Sequence, residues 1–248
     1  MRLSHPINAL YNAALALVYP TACAGCGAAS VERRADAPAC AACWAGTRIF
    51  TGDETCCWKC GALALAEVAP EQRWDVNCRR CAEAAFTAAR AVGVYEGALR
   101  AAVLTLKREP YIAMRLAGLL RAAAQRTPLD AATKIIPLPL HAQREKERGF
   151  NQAACLGRAL AHLSHLPIDE ASLIRTVHTE RHRAGMDARA RRESVEQAFQ
   201  VRRTRLIENE TILLIDDVYT TGATASAAAR ALKDAGAREV FILTIARA

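Results

Sequence analysis

Apolar residues recur along this chain in two rhythms. The stretches GALRAAVLTLK (97–107), IAMRLAGLLRAAA (112–124) and FNQAACLGRALAHL (150–163) place aliphatic and alanine residues three and four apart, which predicts three helices. Around them lie short apolar runs read as strands: AVGVYEG (91–97), KIIPLPL (134–140, closed by prolines), ILLI (212–215) and EVFILTIA (239–246). ATASAAARALKDAG (223–236) predicts a further helix with Gly236 as its C-cap. Ala198 to Val201 could add a strand. Strands alternating with helices predict an α/β fold with a parallel sheet covered on both faces. Ligands of such sheets bind beyond the carboxyl ends of the strands.

Ile7 to Val18 form a short amphipathic stretch after Pro6, too short to span a membrane and without a clustered basic leader. Pro20 stands where lipoprotein processing before Cys23 wants an aliphatic residue. The expectation is a cytoplasmic protein with an ordinary N-terminal helix and no membrane span.

Composition narrows the picture. With 248 residues, 52% of them hydrophobic, the chain can bury a substantial core as one large domain or two smaller ones. Only 5% are aromatic and alanine is abundant, which suggests closely packed helices. Lys and Arg number 33 against 25 Asp and Glu, a formal charge of +8. Arginine dominates the excess, and its planar fork suits phosphate, so an anionic partner is plausible: a phosphorylated metabolite or nucleic acid. Residues 175–205 concentrate arginines with His178 and His182.

The ten cysteines lie at 23, 26, 40, 43, 56, 57, 60, 78, 81 and 155. Four C-x-x-C pairs can be read: Cys23 with Cys26, Cys40 with Cys43, Cys57 with Cys60, and Cys78 with Cys81. CAGCG and CWKCG run straight into glycine, as zinc knuckles do. Eight thiolates suffice for two closed tetrahedral Zn2+ sites of structural type, leaving no open position for substrate. A disulfide framework is disfavoured because the chain shows no secretory signal and cytosolic thiols stay reduced. Sequential pairing gives two ribbons in tandem, and spacing leaves interleaved pairing open. Cys56 could replace Cys57, although the spacing to Cys60 favours Cys57. Cys155 reads as a buried core thiol. So short a region, poor in large apolar residues, would depend on metal for its folding.

The most specific signal is TILLIDDVYTTGATASAAARAL (211–232). If ILLI ends at the sheet's carboxyl edge, Asp216 and Asp217 emerge where ligands bind. Thr220, Thr221, Gly222, Ala223 and Thr224 then turn into a helix whose free amides make a phosphate site. Phosphate donors beside carboxylate acceptors suit a sugar 5-phosphate. A lone DD or TTG would be an ordinary strand-to-helix turn, but the whole arrangement is far more specific. No Walker loop or dinucleotide fingerprint competes with it.

The arrangement resembles the signature of type I phosphoribosyltransferases, which bind 5-phosphoribosyl-1-pyrophosphate. IIPLPLHAQREKERGFNQA (135–153), RRESVEQAF (191–199) and the cysteine pairs together resemble the ComF/GntX family of competence-associated proteins, over essentially the whole chain. That resemblance implies an N-terminal helix and double zinc ribbon in residues 1–85, then a type I phosphoribosyltransferase-like parallel sheet flanked by helices in 86–248. It implies that Asp216 and Asp217 hold the ribose hydroxyls and Thr220 to Thr224 the 5-phosphate, with Mg2+ accompanying the pyrophosphate. The backbone after IIPLP would face the pyrophosphate, with Lys107 of LTLKRE near it. Arg144, Arg148 and Asn151, in the R-x-x-x-R-G-F-N segment, would lie beside the site. It further implies a role in natural transformation, with single-stranded DNA and DNA-uptake proteins as partners. Two departures stand out: TERHRAGMD (179–187) lacks the family's glutamine, and Ser194 replaces its asparagine. Three function classes follow: a transferase acting on an unidentified acceptor, a DNA-binding uptake factor, and a regulator sensing the sugar phosphate.

Overall fold

A computed structural model describes residues 21–177 and 198–248. The expected N-terminal helix lies outside the described residues, as do His178, His182, the TERHRAGMD departure and Ser194.

Four strands form one parallel sheet. They are β1 (Ala88–Val94), β2 (Lys134–Pro137), β5 (Thr211–Tyr219) and β6 (Glu239–Arg247), in the order β1-β6-β5-β2. β3 (Leu173–Arg175) and β4 (Phe199–Val201) pair antiparallel as a separate ribbon. The helices are α1 (Ala41–Ala45), α2 (Gly97–Leu106), α3 (Met114–Ala124), α4 (Ala142–Arg148), α5 (Gln152–Ser164) and α6 (Ala223–Asp234).

Side chains alternate across each strand, so both faces of the sheet acquire a core. Leu213 and Ile215 of β5, with Leu243 and Ile245 of β6, pack under Leu99, Val103 and Leu106 of α2, Leu120 of α3, and Leu156 and Leu160 of α5. Ile212 and Leu214, with Val240 and Ile242, pack under Ala227, Ala228, Ala229 and Leu232 of α6. The alanine face of α6 lets that helix lie close to the sheet. α6 ends in a Schellman arrangement: Ala235 is the C-cap, Gly236 follows at φ 93°, and the Ala237 amide donates to the Leu232 carbonyl at 3.0 Å. The glycine expected as the cap therefore sits one residue beyond it.

The cysteine segments share both cores with the sheet. Cys23, Cys40 and Trp44 are buried with α2 and α3 on one face, and Cys57, Cys60 and Cys81 with α6 on the other. Their backbone also closes the outer edge of β1. Phe50 N donates to Val92 O at 2.8 Å, Val94 N to Arg48 O at 3.0 Å, and Ala89 N to Lys59 O at 2.7 Å. At Gly93 any Cβ would overlap the Arg48 carbonyl oxygen, so this approach requires glycine. On the far side, Ile135 of β2 exchanges hydrogen bonds with Pro167 and Asp169.

Three strands differ from the sequence reading, and of these β2 stops at Pro137 instead of running to Leu140. β1 begins and ends three residues earlier, because Gly97 already opens α2. β5 does not stop at Ile215. It runs through both aspartates to Tyr219, held there by β6, whose Thr244, Ala246 and Arg247 pair with Asp216, Val218 and Tyr219. Cys155 is half-buried rather than buried, packed against the α2–α3–α5 core.

Candidate phosphate site and two cysteine shells

β2 ends at Pro137, opposite Ile215, while β5 and β6 continue. Asp216 and Asp217 therefore sit on a part of β5 that β2 no longer flanks. They leave the strand in different directions. Asp216 lines a cleft with Thr220, Thr221, Gly222, Thr224 and Thr244. Asp217, only 9% exposed, turns toward Lys107, whose Nζ lies 3.8 Å from its Oδ2. Each carboxylate also accepts the next backbone amide: Asp217 N donates to Asp216 Oδ1 and Val218 N to Asp217 Oδ1, both at 2.8 Å.

Burial pushes the Asp216 carboxyl up to about 8, and the adjacent Asp217 charge adds to it, while the Asp217 amide and Arg175 pull the other way. Two carboxylates this close resist simultaneous ionisation until a cation or hydroxyl donors arrive. Arg175, on β3, is a neighbour of this site that the sequence reading did not single out; its guanidinium also lies 5.5 Å from the Phe199 ring centroid.

The turn after β5 leaves helix amides open. Gly222, the N-cap of α6, has φ 77° and provides no side-chain acceptor; the Thr221 hydroxyl accepts the Ala223 amide at 3.4 Å. A helix start of this kind attracts anions through its amides and its partial positive charge. The glycine is required twice over, because a Cβ there would also overlap the Tyr219 hydroxyl and lie 2.7 Å from its ring carbon Cζ.

The R-x-x-x-R-G-F-N segment folds as α4, closed by Gly149 at φ 83°, followed by α5. Burial lowers the Arg148 guanidinium and the Arg144 charge adds to that, against the opposing pull of Asp217. Arg148 donates to Gln152 Oε1. Asn151 has a capping role: its Oδ1 accepts Ala153 N at 2.9 Å and its Nδ2 donates to Leu138 O at 3.0 Å. It thereby fixes the start of α5 to the chain just beyond β2.

The cysteines gather as two tetrads, Cys23, Cys26, Cys40 and Cys43, and Cys57, Cys60, Cys78 and Cys81, with all sulfurs of each within 4.8 Å of one another. Sequential pairing is therefore the one realised, and Cys57 rather than Cys56 takes part. Contacts of 3.6 Å between the Cys23 and Cys43 sulfurs and 3.5 Å between those of Cys57 and Cys81 approach the edge of about 3.8 Å expected for a tetrahedron with 2.3 Å metal–sulfur bonds. Amides already face the sulfurs: Cys40 N and Gly25 N donate to Cys23 Sγ at 3.2 and 3.3 Å, and Cys78 N to Cys57 Sγ at 3.3 Å. These amides outweigh burial and hold Cys23 down at about 6, whereas the neighbouring thiols of Cys23 and Cys40 push Cys43 up to about 12. Four such sulfurs ionise together only around a cation, so both tetrads fit a tetrahedral metal ion. Cys56 lies outside both shells and lines a cleft with Phe50, Trp58, Arg90 and Arg126. Among the described residues no helix is long and apolar enough to cross a membrane.

Residues 155–248 match the phosphoribosyl transferase domain. Over 209 residues the chain is 30% identical to DNA utilization protein YhgH of Escherichia coli O157:H7, an alignment covering 81% of this chain and 88% of that one. It is 34% identical over 149 residues to Competence protein F of Haemophilus influenzae, covering 58% of this chain and 60% of the relative. With Competence protein ComFC of Bacillus subtilis it shares 39% over 114 residues, 46% of this chain and 44% of that one. The similarity thus spans less than two thirds of either competence protein's length.

Proposed function

The chain belongs to the ComF family of competence and DNA-utilization proteins, and from that premise we propose that it binds 5-phosphoribosyl-1-pyrophosphate at the carboxyl end of β5. The observation that carries this reading is the single cleft in which Asp216 and the open amides of α6 meet. The amide of Thr224, that of Ala223 once it exchanges the Thr221 hydroxyl for the ligand, and the threonine hydroxyls take the 5-phosphate. Asp216 and Asp217 accept the ribose hydroxyls, and Lys107, Arg144 and Arg148 face the pyrophosphate. Mg2+ arriving with the pyrophosphate neutralises part of its charge. Turnover would break the bond from the ribose C1 to pyrophosphate and form one to an acceptor nucleophile, with positioning and electrostatics supplying the rate. Zn2+ in the two cysteine shells is structural, since four thiolates close each one.

A second activity is favoured by one surface feature. Trp74, 60% exposed, stands on the second cysteine segment near the exposed Arg79 and Arg80 in sequence. An exposed indole with arginines a few residues along the same segment suits a base stacked above a neutralised phosphate. Contact with single-stranded DNA during uptake, on the cytoplasmic side and with uptake proteins as partners, is part of the proposal.

Isothermal titration of the zinc-loaded protein with 5-phosphoribosyl-1-pyrophosphate and Mg2+ tests the site. Asp216→Asn combined with Asp217→Asn should weaken binding at least a hundredfold with the fold retained. Unchanged affinity would overturn the assignment.

A further inference from the structure

The second cysteine shell and the phosphate turn lie far apart in sequence but are joined by two side chains. Arg247, the last residue of β6, donates from Nη1 to the Cys60 carbonyl at 2.6 Å and directs Nη2 at the Cys60 sulfur, 3.8 Å away. The same guanidinium stacks over the Tyr219 ring, 4.5 Å from its centroid. Tyr219, the last residue of β5, is buried, its ring nearly perpendicular to that of Phe86 with the centroids 6.1 Å apart and its hydroxyl beneath Gly222. One guanidinium therefore touches a metal-shell residue on one side and the platform of the phosphate turn on the other.

A second tie runs in parallel. Following Cys81, the Ala84 amide donates back to the Cys81 carbonyl at 3.0 Å, and the Ala85 amide donates to the Ser226 hydroxyl on α6 at 3.0 Å. Phe86, next along, is the ring that braces Tyr219. The segment leaving the shell thus grips α6 one turn after the phosphate turn and also wedges the residue below that turn.

We infer that Arg247 and Tyr219 are positioning residues through which the cysteine shell of Cys57, Cys60, Cys78 and Cys81 sets the shape of the turn 220–224, and with it the affinity for the sugar pyrophosphate. The inference rests on the phosphate site proposed above. The physical reason is rigidity. The turn is a short exposed loop containing a left-handed glycine, and such loops sample many conformations unless something beneath fixes them. A flat ring held by a guanidinium stacked on it and a perpendicular phenyl ring beside it does so, and the guanidinium is fixed in turn by a carbonyl and a sulfur that the closed shell holds still. Arginine suits this role because its fork bonds the shell while its flat face stacks on the ring.

Amide hydrogen exchange of the ligand-free, zinc-loaded protein gives a readout independent of ligand. In Arg247→Ala, exchange over 219–225 should quicken at least tenfold while β2 and the zinc content remain as in the wild type, and affinity for the sugar pyrophosphate should fall at least tenfold. Arg247→Lys, which keeps the charge but loses the flat fork, should recover neither. Tyr219→Leu should reproduce the loss, and the double variant should be no worse than either single one, since both break the same link. Should Arg247→Ala lose zinc or fail to fold, Arg247→Gln, which can still donate to the Cys60 carbonyl, takes its place with the same readouts. Wild-type exchange at the turn in these variants, or fully additive effects, would overturn the inference. If the wild type binds no sugar pyrophosphate, the binding proposal falls, while the exchange result still decides whether shell and turn are coupled.

Discussion

Asp216→Asn changes the charge of the cleft while nearly preserving its shape, so it isolates one proton. Burial, with Asp217 beside it, pushes Asp216 up to about 8 from an ordinary value of 3.8. At pH 6 the unfolded chain has this carboxyl ionised, whereas the native chain keeps it protonated. The native state thus binds the extra proton, and stability must fall as pH rises through this window. The contribution is complete below about pH 4 and is lost by about pH 8. Each tenfold change in proton affinity is worth about 1.4 kcal/mol, so a shift of this size sets an upper bound of about 6 kcal/mol, and solvent in the cleft that Asp216 lines screens the loss to on the order of 3 kcal/mol. Asparagine carries no such proton. Urea unfolding of the zinc-loaded wild type and variant at a series of pH values should therefore show the variant gaining on the wild type as pH rises, by on the order of 3 kcal/mol between pH 4.5 and 9. Proton uptake by the cysteine shells cancels in the difference, because both proteins carry them. Parallel stability curves would refute the reasoning and mean that the pair is ionised in the native state throughout.

Gly222→Ala places a side chain at φ 77° against a ring braced by Phe86 and Arg247; backbone strain of about 1–2 kcal/mol plus the overlap should cut affinity for the sugar pyrophosphate at least tenfold with zinc retained. Titration giving wild-type affinity would contradict the placement of the turn. Cys23→Ser and Cys78→Ser should each leave fewer than two zinc ions per chain and lower the unfolding midpoint, whereas Cys56→Ser should keep both ions; metal analysis showing the reverse would contradict the tetrads. A chain beginning at residue 86 should form aggregates on size-exclusion chromatography, and a soluble monomer would contradict the role given to the cysteine segments at the edge of β1.

Much of the fold was legible because its elements carry their own pattern. The helices at 97–106, 114–124, 152–164 and 223–234 repeat apolar positions at helical spacing. The runs at 212–215 and 240–243 are apolar throughout, as strands buried on both faces tend to be. α4 was not legible, because AQREKER has no apolar stripe; the helix exists through the His141 cap, whose Nδ1 accepts Gln143 N at 3.3 Å, and the left-handed Gly149. β5 was read as too short because adjacent aspartates argue against a strand, yet their backbone is paired by β6 regardless of side chain. β3 escaped notice because three residues carry no period, and with it went the approach of Arg175 to Asp216. The turn at 220–224 was written in its own residues. The pairing of Lys107 with Asp217 depends instead on where the end of α2 meets the end of β5, and local sequence holds no record of that.

The same distinction explains what cysteine spacing could and could not convey. Spacing identifies ligands that share a local turn, so Cys57 was preferred to Cys56. It is silent on which face of the sheet a shell will occupy. The two shells stand on opposite faces, each embedded in a different core, and the chain between them crosses the open edge of β1. β1 reads AARAVGV, with little apolar bulk to hold it in place. An exposed strand edge offers unpaired backbone groups to any passing strand. Here Arg48, Phe50 and Lys59 occupy that edge, while the shells clamp the strand from above and below. Loss of metal would release the clamp and the edge together. The cysteine segments are therefore part of what makes the sheet, and the ligand site at its carboxyl end, a single stable surface.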